Sequence, residues 1–191
     1  MATKVKKGKK ENMKGLEQDE DTGLAPNFHI KRVSQIKEKF GKSGLPRADL
    51  DNDPRVFALL DEACNSTCHG KAWAKHASRV FALQGRALGP LTGEERDFKG
   101  LGGAKTTGRR KCPWGMELQD GTFAQGTISS NELNRDDNYM LLSLHAQGTL
   151  GLVKDTDPSS NTCFVKAYDA FVQLFEVKGS GLRAICISNF P

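Results

Sequence analysis

The basic residues Lys105, Arg109, Arg110 and Lys111 crowd one glycine-rich stretch, and Lys166 and Arg183 follow in the last third of the chain. That last third also holds Phe164, Tyr168, Phe171 and Phe175. Cations can follow a row of phosphates, and aromatic rings offer faces on which bases stack. Sequence-tolerant binding of a single nucleic-acid strand needs both. Phe164 and Tyr168 share strand parity with Lys166, and a bulge at Asp169 is one way to break that parity. Val172 and Leu174 lie on the parity opposite to Phe171 and Phe175, so one of these faces must be core. Trp114 and Tyr139 carry the same ambiguity, whereas Trp73 falls on a helical stripe and reads as packing.

Three other chemistries fit the residues less well. Cys64, Cys68, His69 and His76 have the donor types of a zinc site, but on a continuous helix His76 lies about 12 Å beyond Cys68 at 1.5 Å per residue. Their spacing matches no standard finger, and small buried thiols are the simpler reading. Gly100, Gly102, Gly103 and Lys105 suggest a phosphate-cradling loop, yet Ala104 stands where that motif requires glycine immediately before the lysine. Asp136 and Asp137, with Asp120, have the chemistry of a Mg²⁺ site, but adjacent aspartates point in different directions and suit turns. No nucleophile elbow and no paired histidine ligands occur, so the expectation is a binding protein without enzymatic activity and without cofactor or metal.

The elements that must position these residues are written into the pattern. The chain has 191 residues, 37% of them apolar, and a net charge of +5, with an isoelectric point near 9.0. A basic balance favours an anionic partner. No run of eighteen apolar residues offers a membrane span, and the lysine-rich start lacks the apolar core of a secretion signal. Five cysteines at scattered spacings suit a reducing, cytoplasmic setting better than a disulfide framework.

Residues 1–26 read as a disordered basic and acidic arm and residues 27–191 as one folded domain. A first strand is expected at 28–33 and a short second one at 45–50. Asp53-Pro54 opens a predicted helix in which Val56, Leu59, Leu60, Ala63 and Thr67 recur at helical spacing. Gly70 kinks it, Trp73, His76, Ala77, Val80 and Phe81 continue it, and Gly85 with Gly89-Pro90 ends it. Residues 90–111 read as a mobile functional loop carrying Arg109, Arg110 and Lys111. Asp120-Gly121 marks a hairpin turn. Strands at 139–145 and 149–153 are expected to flank a turn at Gln147-Gly148. A closing pair, 163–177 and 182–188, is joined by a turn at 178–181. The fold class is α+β, mainly β, with one long helix inserted in a small antiparallel barrel; a viral capsid or nucleocapsid protein would share the lysine-rich arm and β-rich body, though a jelly roll needs more strands, and an RNA-binding protein would share the charge and the barrel.

Three stretches carry a resemblance. They are Asp51-Asn52-Asp53-Pro54-Arg55 leading into 58–63, then Cys112-Pro113-Trp114-Gly115 through Asp120-Gly121. The third is Cys163-Phe164-Val165-Lys166-Ala167-Tyr168 followed by Val172-Gln173-Leu174-Phe175-Glu176 and the turn at Gly179-Ser180-Gly181. In order and spacing they resemble the single-stranded DNA-binding proteins of tailed phages, including the podovirus type. The resemblance spans about 28–187. It departs at Asn161-Thr162, where the family usually has a glycine before the cysteine. It implies a single OB-fold that coats single-stranded DNA in phage replication and recombination, in the host-cell cytoplasm. Family members usually recruit polymerase or helicase through an acidic C-terminal tail, for which these residues hold no counterpart. A homodimer stays open.

Overall fold

The computed structural model describes residues 45–98, 104–155 and 160–191. The expected arm at 1–26 and the strand expected at 28–33 lie outside them. Its longest feature is a hairpin of β5 (Lys105–Glu117) and β6 (Phe123–Leu133). Asp120 and Gly121 make the turn as expected: Asp120 Oδ1 accepts from the Thr122 amide at 2.9 Å and its hydroxyl at 2.6 Å. Gly121 takes φ +81°, a conformation that disfavours any side chain.

The expectation for the first half of the predicted helix is corrected. Residues 57–60 form a strand, β2 (Phe57–Leu60), in which every residue is buried. Ala58 and Leu60 enter the main core, while Phe57 and Leu59 enter a second cluster on the other face. A central strand packed on both faces loses its polar alternation, and a short apolar run then looks helical by chance. Asp53 does not cap a helix; it accepts from the Arg55 backbone amide and guanidinium. β3 (Cys68–Gly70) runs directly into α1 (Lys71–Leu83), which buries Trp73, Ala74, Ala77 and Phe81. Gly70 is the junction rather than a kink: a Cβ there would lie 2.7 Å from the Asn138 carbonyl oxygen and 2.8 Å from that of Arg135.

Two further expectations change. Residues 90–111 are not one loop, because β4 (Arg96–Asp97) and β5 occupy much of the segment. Gln147-Gly148 is not a turn but the middle of α2 (Leu144–Leu150). Ser143 caps that helix by accepting from the Ala146 amide, and Gly151 closes it at φ +64°. The flanking strands shrink to β7 (Met140–Leu142) and β8 (Leu152–Lys154). The closing region keeps its expected turn at 178–181 between β10 (Ala170–Val177) and β11 (Arg183–Cys186). A 3-10 turn, Lys166–Tyr168, with Asp169 at φ +50°, separates β9 (Thr162–Val165) from β10.

Among the described residues the fold is mainly β: eleven strands in one sheet, with β1 (Arg47–Ala48) pairing β10 off a path ordered β4-β5-β6-β3-β7-β2-β11-β10-β9-β8. The sheet is mixed rather than antiparallel, because β1–β10, β2–β7 and β3–β6 are parallel pairs. It is an open sheet that curls. Single bridges at Gly115–Ser188 and Leu118–Val172 bring the end of β5 against the chain beyond β11 and against β10. The main core joins Trp114, Met116, Met140, Leu174 and Ile185 of the sheet to Trp73 and Phe81 of α1. No helix among the described residues is long and apolar enough to cross a membrane.

Candidate nucleic-acid interface

The β5–β6 hairpin separates its basic residues by parity. Cys112, Trp114, Met116, Ala124 and Ile128 belong to the main core, so Arg109, Lys111, Pro113 and Gly115 face the other way. Their partners across the ladder are Asn131, Ser129, Thr127 and Gln125, and directly paired residues share a face. Between these limits Gln125 and Thr127 are exposed and Ser129 half-buried, while Asn131 is buried and its side-chain amide donates to the Thr67 carbonyl at 3.1 Å; within the same limits no carboxylate of either strand has this parity. Arg109 is half-buried and Lys111 exposed. The outer edge of β5 is partly covered: the Gly89 amide donates to the Lys111 carbonyl at 2.7 Å, and Thr92 and Arg109 exchange backbone bonds at 2.8 and 2.7 Å. Arg109 also borders a notch lined by Ser66, Thr67, Ser129, Asn131, Ser143 and His145. Lys105, beyond a bulge at Thr106/Gly108, is exposed and pairs with Glu95 at 3.2 Å.

Arg110 turns inward. Its Nη2 lies 2.7 Å from Glu132 Oε2, and His69 Nε2 lies 3.5 Å from the same oxygen. His69 Nδ1 contacts Ser130 Oγ at 2.7 Å, and the Trp73 ring packs at 4.8 Å from the imidazole. Burial holds the His69 pKa below its ordinary value, which keeps the imidazole neutral. The His69 ring and then the Arg110 guanidinium hold the Glu132 carboxyl below its own. The neighbouring Cys112 thiol is pushed up to about 12 by burial. A serine, an imidazole and a carboxylate in line are also the parts of an acyl-transfer centre. Here Ser130 and His69 are 0% exposed, so no substrate can meet them and the cluster is a polar brace inside the sheet.

The cysteine–histidine group disperses. Cys64 and Cys68 approach to 4.0 Å between sulfurs. His69, the next residue along β3, faces Ser130 instead, and His76 Nε2 is 3.0 Å from the Arg55 carbonyl oxygen.

The aromatic residues do not share one face. Phe171 and Phe175 oppose Val172 and Leu174, which are core. Phe171 is nevertheless buried and packs against half-buried Phe164 at 5.1 Å. Phe175 is buried in the second cluster, edge-on to Phe57 at 5.2 Å, with the Arg55 guanidinium 4.7 Å above it. Tyr168 and Lys166 sit on the 3-10 turn rather than on a strand. Lys166 is exposed there, Tyr168 is half-buried, and burial raises its phenol pKa. Arg183 is half-buried on β11, opposite Glu176. In the strand order, β9 and β10 stand far from β5 and β6; the Leu118–Val172 bridge and the Gln119 amide, which donates to the Phe171 carbonyl at 2.8 Å, join the two regions.

No family model, curated protein or solved structure matches the chain.

The sequence reading passed over a second feature of the outer face. A groove of about 550 Å³ is lined by Arg86, Pro113, Gln125, Thr127 and Phe190, among others. Arg86 lies just beyond α1 in a stretch without periodicity, and Phe190 is held there by the bridge between Ser188 and Gly115 and by the Asn189 amide, which donates to the Gly115 carbonyl. No local signal joins them.

Proposed function

We propose that the chain binds single-stranded DNA with little sequence preference, using the outer face of the β5–β6 hairpin. The supporting observation is the row of Arg109 and Lys111 beside the hydroxyl residues Ser129 and Thr127 on one face of the hairpin. Such a face attracts phosphates and offers them hydrogen bonds without reading bases. On this reading the curled sheet is a variant of the OB barrel, and the protein coats exposed strands during phage DNA replication or recombination rather than performing chemistry on them. Replication proteins are its natural partners. The electrostatic role falls to Arg109 and Lys111, because Arg110 neutralises Glu132 inside the sheet.

The test is fluorescence anisotropy with matched dT, rU and duplex DNA oligonucleotides at several salt concentrations. Tight, salt-sensitive binding of the dT strand, with the duplex much weaker, is expected; equal or tighter binding of RNA or duplex overturns the reading. Arg109→Ala and Lys111→Ala are each expected to flatten the log–log salt slope by about 0.7, the value for one phosphate contact on a single strand. An unchanged slope in both variants removes this face from the interface.

A further inference from the structure

We infer that the groove beside Arg86 is a nucleobase slot, in which one base of a bound strand stacks on the Arg86 guanidinium. This rests on the single-strand reading above and assigns a contact that the phosphate row does not supply.

Arg86 is exposed, yet it is held in place from two directions. Its guanidinium carbon lies 4.9 Å from the centre of the Phe190 ring, and Nη2 donates to Gln125 Oε1 at 2.9 Å. Phe190 is itself fixed, edge-on to Phe81 at 6.1 Å and 79°. It seats where Gly115 has no side chain: a Cβ there would come within 2.6 Å of the Phe190 ring carbons. A long arginine side chain normally loses much rotamer freedom when it engages a ligand. Here that freedom is already restricted, which is the condition for efficient recognition.

One side of the guanidinium rests on Phe190, and the groove of about 550 Å³ opens beside it, a size in the usual range for small-molecule sites. Guanidinium planes are established platforms for unstacked bases, and stacking tolerates sequence because every base has a π face. The polar lining from the hairpin is Gln125 and Thr127, neutral groups that suit the edge of a base better than a second phosphate. Position supports the same ligand. Pro113 lies two residues beyond Lys111 on the same face of β5, about 7 Å along the strand. A chain whose phosphates follow Arg109 and Lys111 therefore passes the groove.

The test compares a dT oligonucleotide with an abasic strand of equal length and phosphate number, by anisotropy at fixed salt. Arg86→Lys keeps the charge and removes the plane. It is expected to weaken dT binding about tenfold, within the usual effect of losing one stacked base, and to leave the abasic strand unaffected. Lys111→Ala should weaken both strands equally. If Arg86→Lys binds dT like the parent, or loses equally on both strands, Arg86 is no stacking platform and the slot is refuted while strand binding stands. If the parent chain binds neither strand, the single-strand reading itself fails and the slot with it.

Discussion

Replacing Glu132 with alanine is expected to destabilise the fold by about 3–5 kcal/mol, the usual result of removing one partner from a buried ion pair. Glu132 is 7% exposed, and its Oε2 faces both Arg110 Nη2 at 2.7 Å and His69 Nε2 at 3.5 Å. Without it the Arg110 guanidinium keeps its inward position and loses its counter-charge. Glu132→Gln keeps the volume and removes only the charge, so a smaller cost than that of the alanine variant is expected. In a chain of this size the alanine variant should lower Tm by roughly 10 °C. Equal melting of parent and Glu132→Ala would remove the brace as a stabilising element.

The same cluster fixes a pH dependence. Burial depresses the pKa of His69 from its ordinary 6.5, so below that pH the unfolded chain binds a proton that the folded chain refuses. Stability is therefore retained above about 6.5 and lost as pH falls towards the folded value. Glu132 is depressed from its ordinary 4.5, so its contribution is present above that value and is lost on further acidification. Both effects have the same sign. Urea midpoints measured from pH 7.5 to 5 should fall in the parent and fall less in His69→Gln; parallel declines would assign the loss to other groups.

What the sequence made legible follows from the range over which each signal acts. The Asp120-Gly121 hairpin and the turn at 178–181 are set by local backbone preference, and both stand where they were expected. The separation of Arg110 from Arg109 and Lys111 was not legible, because alternation assigns faces only once the segment is known to be a strand and its core side is known. What depends on tertiary neighbours was not legible. Val56, Leu59, Leu60 and Ala63 fit a helix stripe, yet β2 is a strand because β7 and β11 flank it and both of its faces are packed. Gln147-Gly148 has turn chemistry, yet Ser143 and Gly151 cap a helix across it. The glycine-rich character of 90–111 suggested a loop, although its basic end is strand paired to β6. Phe175 offered a stacking face in sequence, but its ring is already occupied by Phe57 and Arg55. The Arg86–Phe190 pair joins distant segments and leaves no trace in either.

Trp114 gives the second large effect and a test of which tryptophan nitrogen contributes to the fold. The ring is 3% exposed in the main core and stands opposite Gly126 in the hairpin, where no partner side chain could fill its space. Trp114→Ala is therefore expected to cost about 3–5 kcal/mol through the cavity it leaves. Trp114→Phe should cost far less than that. Its Nε1 finds no acceptor among the described residues, so removing this buried donor relieves a desolvation penalty that offsets part of the lost volume. Trp73 is the opposite case, because its Nε1 donates to the Phe57 carbonyl at 3.1 Å. Trp73→Phe loses that bond along with the volume, and should be less stable than Trp114→Phe by about 1 kcal/mol. Urea denaturation of the two phenylalanine variants decides the point, and equal midpoints would mean that the Trp73 bond adds nothing net. Because Trp114 faces the core and Lys111 faces outward on the same strand, Trp114→Phe should also leave the salt slope for single-stranded DNA unchanged. A changed slope would show that the two faces of β5 are not independent.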